Sequence, residues 1–127
     1  MSALRHPLAR ARGLGSAKEG SGHWISQRLT AVALVPLSVW FVLCIIGAAA
    51  NGYADVRTQL AQPWNATLMA AFVLCLFQHA QLGLQVVVED YVHTPWMELF
   101  LQVLIKLACF VAAIASLVAI VRIALGA

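Results

Sequence analysis

The sequence predicts an all-α integral membrane protein with three transmembrane helices. Of its 127 residues, 62% are hydrophobic and only 10% are charged, against about 45–50% and about 25% in ordinary soluble domains. A soluble domain of this length buries too small a fraction of its surface to hide so many apolar side chains from water. The composition therefore excludes a soluble globule, a disordered chain, a disulfide-stapled secreted module and a protein whose main partner is nucleic acid.

The chain begins with a polar, basic tail, which we assign to residues 1–21, and continues as a three-helix domain over residues 22–127. The composition of the tail gives little sign of independent folding. Five of the eight cations precede the first long apolar run: Arg5, Arg10, Arg12, Lys18 and Arg28. By the positive-inside rule, this bias predicts an N-terminus on the cytoplasmic side, or on the matrix side of a mitochondrial membrane. We expect no secretory signal peptide, because the first apolar run is too long for one.

Three apolar runs predict the membrane spans. Residues 29–50 carry no charge, and at ~1.5 Å per residue they cover the ~30 Å hydrocarbon core. Residues 66–88 form a second span that contains several polar but formally uncharged side chains. The third span covers about residues 99–120 and includes Lys106.

Two polar breaks separate the spans. The first break runs from Asn51 to Trp64, which predicts a loop followed by a tryptophan at the membrane interface. The second runs from Glu89 to Trp96, and its Pro95 is suited to opening a new helix. With three spans, the first break lies opposite the N-terminus and the second lies on the same side as the N-terminus.

Polar groups inside a span are costly and usually face a bundle interior, so each is a functional candidate. His79 lies ~13 Å along the helix from Val88, the end of its span. A neutral imidazole there can either ligate a haem iron or form a hydrogen bond between helices. Asp90 points within ~20° of the same direction. Gly83 lies one turn from His79, where it allows either a flat cofactor or another helix to approach closely.

Other polar side chains near the spans also have two interpretations. Arg28 opens the first span and either anchors it by snorkelling to headgroups or pairs with a carboxylate or carbonyl of a cofactor. Tyr91 is either an interfacial aromatic residue or a hydrogen-bond donor to a quinone. The partner of Lys106 stays open between Asp90, Glu89 and a propionate. We interpret three glutamines as hydrogen-bonding groups toward neighbouring helices: Gln78, Gln81 and Gln85.

Two short motifs give the chain a family resemblance. The run HAQLGLQVVVEDYV, from His79 to Val92, resembles the H-A-x-x-G-x-x-x-V-x-x-D-Y-V signature of a hydrophobic membrane anchor of succinate dehydrogenase. That protein is the smaller of the two hydrophobic anchors of respiratory complex II. The RLTA sequence from Arg28 to Ala31 is similar to the R-x-T-A element of the same anchor.

The resemblance implies a role for each candidate residue. His79 would be one axial ligand of the iron of haem b, with Gly83 packing beside the haem. Arg28 would lie near the haem propionates and the quinone pocket. Tyr91 would donate a hydrogen bond to the carbonyl of ubiquinone, with Asp90 supporting the site or its proton supply. No catalytic residue is assigned to this chain.

The resemblance also implies partners. The haem would be shared with a second hydrophobic anchor, which would complete the helix bundle. FAD and Fe–S clusters would reside only in a flavoprotein subunit and an iron–sulfur subunit, because this chain has no dinucleotide fingerprint or cysteine cluster. The expected location is a bacterial inner membrane or the mitochondrial inner membrane.

The expected function is to pass electrons from succinate oxidation to ubiquinone, as a subunit that is not catalytic alone. Two alternatives stay open at this stage. One is the anchor of a fumarate reductase, and the other is a non-redox three-span scaffold in which His79 only joins helices.

Overall fold

The computed structural model describes residues 20–126, which form four α-helices and no strand. Helix α1 spans Gly20–Asn51, α2 spans Tyr53–Leu60, α3 spans Pro63–Tyr91 and α4 spans Pro95–Ala124. The all-α prediction is confirmed. Most of the tail that we assigned to residues 1–21 lies outside the described residues, and its last two residues already belong to α1.

Three of these helices, α1, α3 and α4, are long and apolar enough to cross a membrane, as predicted. Each extends beyond the span predicted from hydropathy, because a helix continues into the interfacial region after its apolar residues end. Pro63 and Pro95 each occupy the first turn of a helix, where the missing N–H would have no helical partner. Gly52 adopts φ 84°, which lets the chain turn sharply between α1 and α2.

The sequence predicts a loop in the first break, but the short helix α2 occupies most of it. The polar composition of α2 is typical of a loop, although Val56 and Leu60 are half-buried against the rest of the chain. Helix α2 contacts all three long helices. Arg57 also donates a hydrogen bond of 3.2 Å to the carbonyl of Gly126, which ties α2 to the chain just beyond α4.

The long helices form an open layer with α3 in the middle. Helices α1 and α4 both contact α3, and within residues 20–126 they do not contact each other. Among the residues whose burial is described, the buried apolar ones are Phe72, Leu82 and Val88, and all three lie on α3. The outer faces of α1 and α4 are exposed and apolar, as expected for surfaces that meet lipid or another membrane protein.

Helices α1 and α3 run antiparallel. Along their interface, the rings of Phe41 and Phe72 stack with centroids 4.6 Å apart. Toward the start of α1, Thr30 contacts His79, and one turn further Gln27 lies beside Gly83. This register places the end of α3 level with the start of α1.

Candidate functional site

His79 lies at the α1–α3 interface, where it is half-buried. Its Nδ1 lies 3.0 Å from the Oγ1 of Thr30. The same Oγ1 lies 2.8 Å from the backbone oxygen of Ser26 and 3.0 Å from that of Gln27. The Nε2 of His79 forms no hydrogen bond with the described residues and is not among their buried, unpartnered atoms. The interface therefore engages one ring nitrogen, and the other has no hydrogen-bond partner among the described residues.

Gly83 lies one turn beyond His79, beside α1. A Cβ at this position would lie 3.7 Å from the Nε2 of Gln27, which is ordinary van der Waals contact. This geometry supports close helix packing, the second of the two interpretations given by the sequence. Packing of a haem against Gly83 stays a prediction.

Two polar atoms near the start of α1 are buried without a hydrogen-bond partner among residues 20–126. They are the Nε2 of His23 and the Oε1 of Gln27. Leaving a buried polar group unsatisfied costs about 1–3 kcal/mol, so both atoms call for water or for a polar group of a bound molecule. The amide oxygen of Gln27 can only accept, which limits its partner to a hydrogen-bond donor.

Arg28 lies on a different face of α1. It is two residues from Thr30, which corresponds to roughly 160° around the helix. Its side chain is exposed, and its guanidinium carbon lies 5.5 Å from the ring centroid of Trp24, a cation–π geometry. The structure therefore does not bring Arg28 to His79 within this chain, and any group bound by both must extend around α1.

Asp90 and Tyr91 end α3, and both are exposed; Tyr91 is 81% exposed. Asp90 lies roughly 16 Å along the helix from His79 and within ~20° of the same direction. Tyr91 points ~100° further around α3. The structure thus places these two polar groups at the end of the layer where α1 begins, free to meet another molecule.

Gln85 donates a hydrogen bond of 2.8 Å to the Oε1 of Glu89, one turn along its own helix, a common pairing of polar side chains four residues apart. A hydrogen-bonding role of the α3 glutamines toward neighbouring helices stays a prediction. Gln78 is exposed. Lys106 is also exposed, on α4, and its partner stays open.

The residues of α1 that face His79 and Gly83 have no role predicted from the sequence. Thr30 enters only as part of the R-x-T-A element, and Gln27 has no predicted function. Together with His23 they are spaced by four and three residues, so they share one face of α1. This polar spacing at the head of an otherwise apolar helix is the signal that could have located the interface.

Comparison with known proteins decides the family. Residues 2–118 match the family described as "Succinate dehydrogenase/Fumarate reductase transmembrane subunit". The chain belongs to this family. Its role is that of a membrane anchor subunit of succinate dehydrogenase.

Individual relatives in this anchor family cover between two thirds and nine tenths of the chain. The succinate dehydrogenase hydrophobic membrane anchor subunit of Rickettsia bellii is 35% identical over 92% of this chain and 94% of the relative. The protein of the same name in Rickettsia conorii is 32% identical over 89% and 90%. That of Paracoccus denitrificans is 31% identical over 67% and 66%.

Proposed function

We propose that this anchor protein holds haem b through the Nε2 of His79 and forms part of a ubiquinone site with Asp90 and Tyr91. The observation that carries the proposal is the environment of the His79 ring. One nitrogen is engaged by Thr30, whereas the other has no partner among the described residues. A half-buried imidazole with one uncommitted nitrogen is suited to be an axial ligand.

The donor set of the chain fits a haem better than a metal ion held by protein alone. Residues 20–126 contain no group of three or more His, Cys, Asp or Glu side chains placed to hold a metal. A porphyrin brings its own nitrogen ligands, so the protein needs to supply only the axial positions. His79 would supply one, and a histidine of the second hydrophobic anchor would supply the other. When bound, the haem provides one-electron redox chemistry.

Arg28 fits a role toward the haem propionates or the quinone from the outer face of α1. Its guanidinium is exposed and offers the charge-assisted hydrogen bonds that carboxylates and carbonyl oxygens accept. Because it points away from His79 around α1, we place its ligand, together with a partner protein, on that side of the helix.

The quinone site follows from the chemistry of two exposed groups at the end of α3. The O–H of Tyr91 can donate to a quinone carbonyl, and the carboxylate of Asp90 can accept and return protons at the membrane surface. Reduction of ubiquinone to ubiquinol takes two electrons and two protons. Oxidation of succinate to fumarate releases the same number of each, so the two half-reactions balance.

The electrons must come from other subunits. We propose a flavoprotein that oxidises succinate and an iron–sulfur protein that carries the electrons to the quinone, docked at the end of the layer that contains Asp90. The same end contains the start of α1, and we place it on the cytoplasmic or matrix side. The membrane would be a bacterial inner membrane or the mitochondrial inner membrane.

Substitution of His79 tests the haem ligand in the purified complex. We expect His79→Ala to abolish or strongly alter the absorption spectrum of a b-type haem. The matched control is His93→Ala, because His93 is exposed between α3 and α4 and its loss should leave the spectrum unchanged. A normal haem spectrum in His79→Ala would refute the ligand assignment.

An anchor of a fumarate reductase is the second candidate, because the description of the matching family names both enzymes. Parallel assays with ubiquinone and menaquinone distinguish the two directions. We expect efficient succinate-dependent reduction of ubiquinone. Faster fumarate reduction by menaquinol would favour the second candidate. A complex without any b-type haem signal would instead support a non-redox scaffold.

A further inference from the structure

We propose that Thr30 is a positioning residue that fixes His79 in the tautomer with the proton on Nδ1, and so presents a bare Nε2 to its ligand. The inference rests on the proposed haem ligation by His79. It adds a residue of another helix to the site and gives that residue a specific chemical task. A neutral histidine can carry its proton on either nitrogen, and the partner of one nitrogen decides which.

The surroundings of the Thr30 hydroxyl favour one assignment of the protons. A hydroxyl has one proton to donate and lone pairs with which to accept. Its Oγ1 lies 2.8 Å from the backbone oxygen of Ser26 and 3.0 Å from that of Gln27, and carbonyl oxygens can only accept. We therefore assign the hydroxyl proton to the backbone and the proton of the 3.0 Å contact with His79 to Nδ1.

The surrounding packing holds this arrangement in place. Thr30 is β-branched, so its side chain has few rotamers in a helix, and the hydrogen bond to the preceding turn selects one of them. On one side along the interface, Phe41 stacks on Phe72. On the other side, Gln27 lies beside Gly83. These contacts fix the separation of α1 and α3, and therefore the separation of the hydroxyl and the imidazole.

The hydrogen bond at Nδ1 changes the ligand properties of Nε2. Donation from Nδ1–H to an acceptor orients a ligating histidine and raises the basicity of its other nitrogen. In a bound haem, a more basic Nε2 of His79 would favour ferric over ferrous iron and so lower the potential. Loss of the Thr30 hydroxyl should therefore weaken haem binding and raise the midpoint potential.

The test compares hydroxyl-containing and hydroxyl-free variants in the intact, membrane-extracted complex. Thr30→Val keeps the shape of the side chain and removes the hydroxyl, whereas Thr30→Ser keeps the hydroxyl. We expect Thr30→Val to retain haem about 10-fold less tightly, with a more positive midpoint potential and an altered Soret band. Thr30→Ser should keep the original potential. Thr30→Ala repeats the hydroxyl-free test with a good helix former if the valine variant assembles poorly.

Thr67 provides a matched control on α3. Its hydroxyl donates a hydrogen bond of 2.7 Å to the backbone oxygen of Pro63, four residues earlier. This is the same type of bond that Thr30 makes within α1, but it lies at the end of α3 remote from His79. Thr67→Val should leave the haem potential unchanged. The inference is overturned if Thr30→Val and Thr30→Ala keep the original potential and haem retention, or if Thr30→Ser shifts the potential as far as Thr30→Val.

The His79→Ala variant separates failure of this inference from failure of the proposed function. If His79→Ala keeps its haem spectrum, haem ligation by His79 is wrong and the inference falls with it. If His79→Ala loses the spectrum while the hydroxyl-free variants of Thr30 are unaffected, the ligand assignment stands and only the role of Thr30 is wrong.

Discussion

Gln27 and Gly83 face each other across the α1–α3 interface, with the amide nitrogen of Gln27 3.7 Å from the position that a Cβ on residue 83 would take. This contact sits between the His79 site and the exposed carboxylate of Asp90. The distance leaves room for a methyl group but not for a larger side chain without movement of Gln27. Substitutions at residue 83 therefore test whether a helix or a cofactor fills this space.

We predict that Gly83→Ala assembles with normal haem content, because the added methyl group makes only an ordinary contact with Gln27. Gly83→Leu should reduce haem content and lower the melting temperature of the complex, since its side chain separates α1 from α3. Gly47→Leu is the control, because nothing lies within 4 Å of a Cβ at that position. Loss of haem from an assembled Gly83→Ala complex would favour packing of the haem against Gly83.

The two carboxylates at the end of α3 allow function to be separated from stability. Glu89 and Asp90 lie in the last turn of α3, at the negative end of the helix dipole, where a negative charge is unfavourable. No basic residue lies in that turn to compensate for them. Asp90→Asn and Glu89→Gln should each stabilise the helix by about 0.3–1 kcal/mol.

Only Asp90→Asn should slow quinone reduction, because Asp90 is assigned to the quinone site. Glu89 already accepts a hydrogen bond from Gln85, and Glu89→Gln should keep the original rate. The measurements are the melting temperature of the complex and the rate of succinate-dependent ubiquinone reduction. Equal loss of rate in both variants would contradict a specific role for Asp90.

We predict that Tyr91→Phe lowers ubiquinone reduction and leaves dye-linked succinate oxidation intact, because only the hydroxyl that donates to the quinone is lost. Trp64→Phe changes an exposed aromatic residue at the other end of α3 and should affect neither assay. A parallel loss of both activities in Tyr91→Phe would indicate defective assembly instead of a defect at the quinone site.

The orientation of the layer can be measured with two cysteine variants. Thr58 on α2 and Thr94 before α4 are both exposed and lie at opposite ends of α3. An impermeant maleimide applied to the cytoplasmic or matrix face should label Thr94→Cys, whereas one applied to the opposite face should label Thr58→Cys. The native cysteines, Cys44, Cys75 and Cys109, are half-buried in the long helices. The reversed pattern would overturn the orientation given by the N-terminal cations.

The sequence predicts the helices of this chain well because long apolar runs leave the backbone no other way to satisfy its hydrogen bonds in lipid. It does not predict α2, whose short polar sequence resembles a loop. It also identifies His79 as a candidate but not its neighbour, because contact between Thr30 and His79 depends on the antiparallel register of two helices. The different faces occupied by Arg28 and His79 likewise emerge only from the packing.

The open layer has a consequence for the amount of this protein in a cell. Within the described chain, each outer helix packs only on α3 and on the short helix α2, so we expect binding to other subunits to supply much of the free energy that keeps the layer together. The folded population then depends on the concentration of those partners by mass action. Surplus copies would be exposed to membrane proteases, and the supply of partner proteins would set the steady-state level of this one.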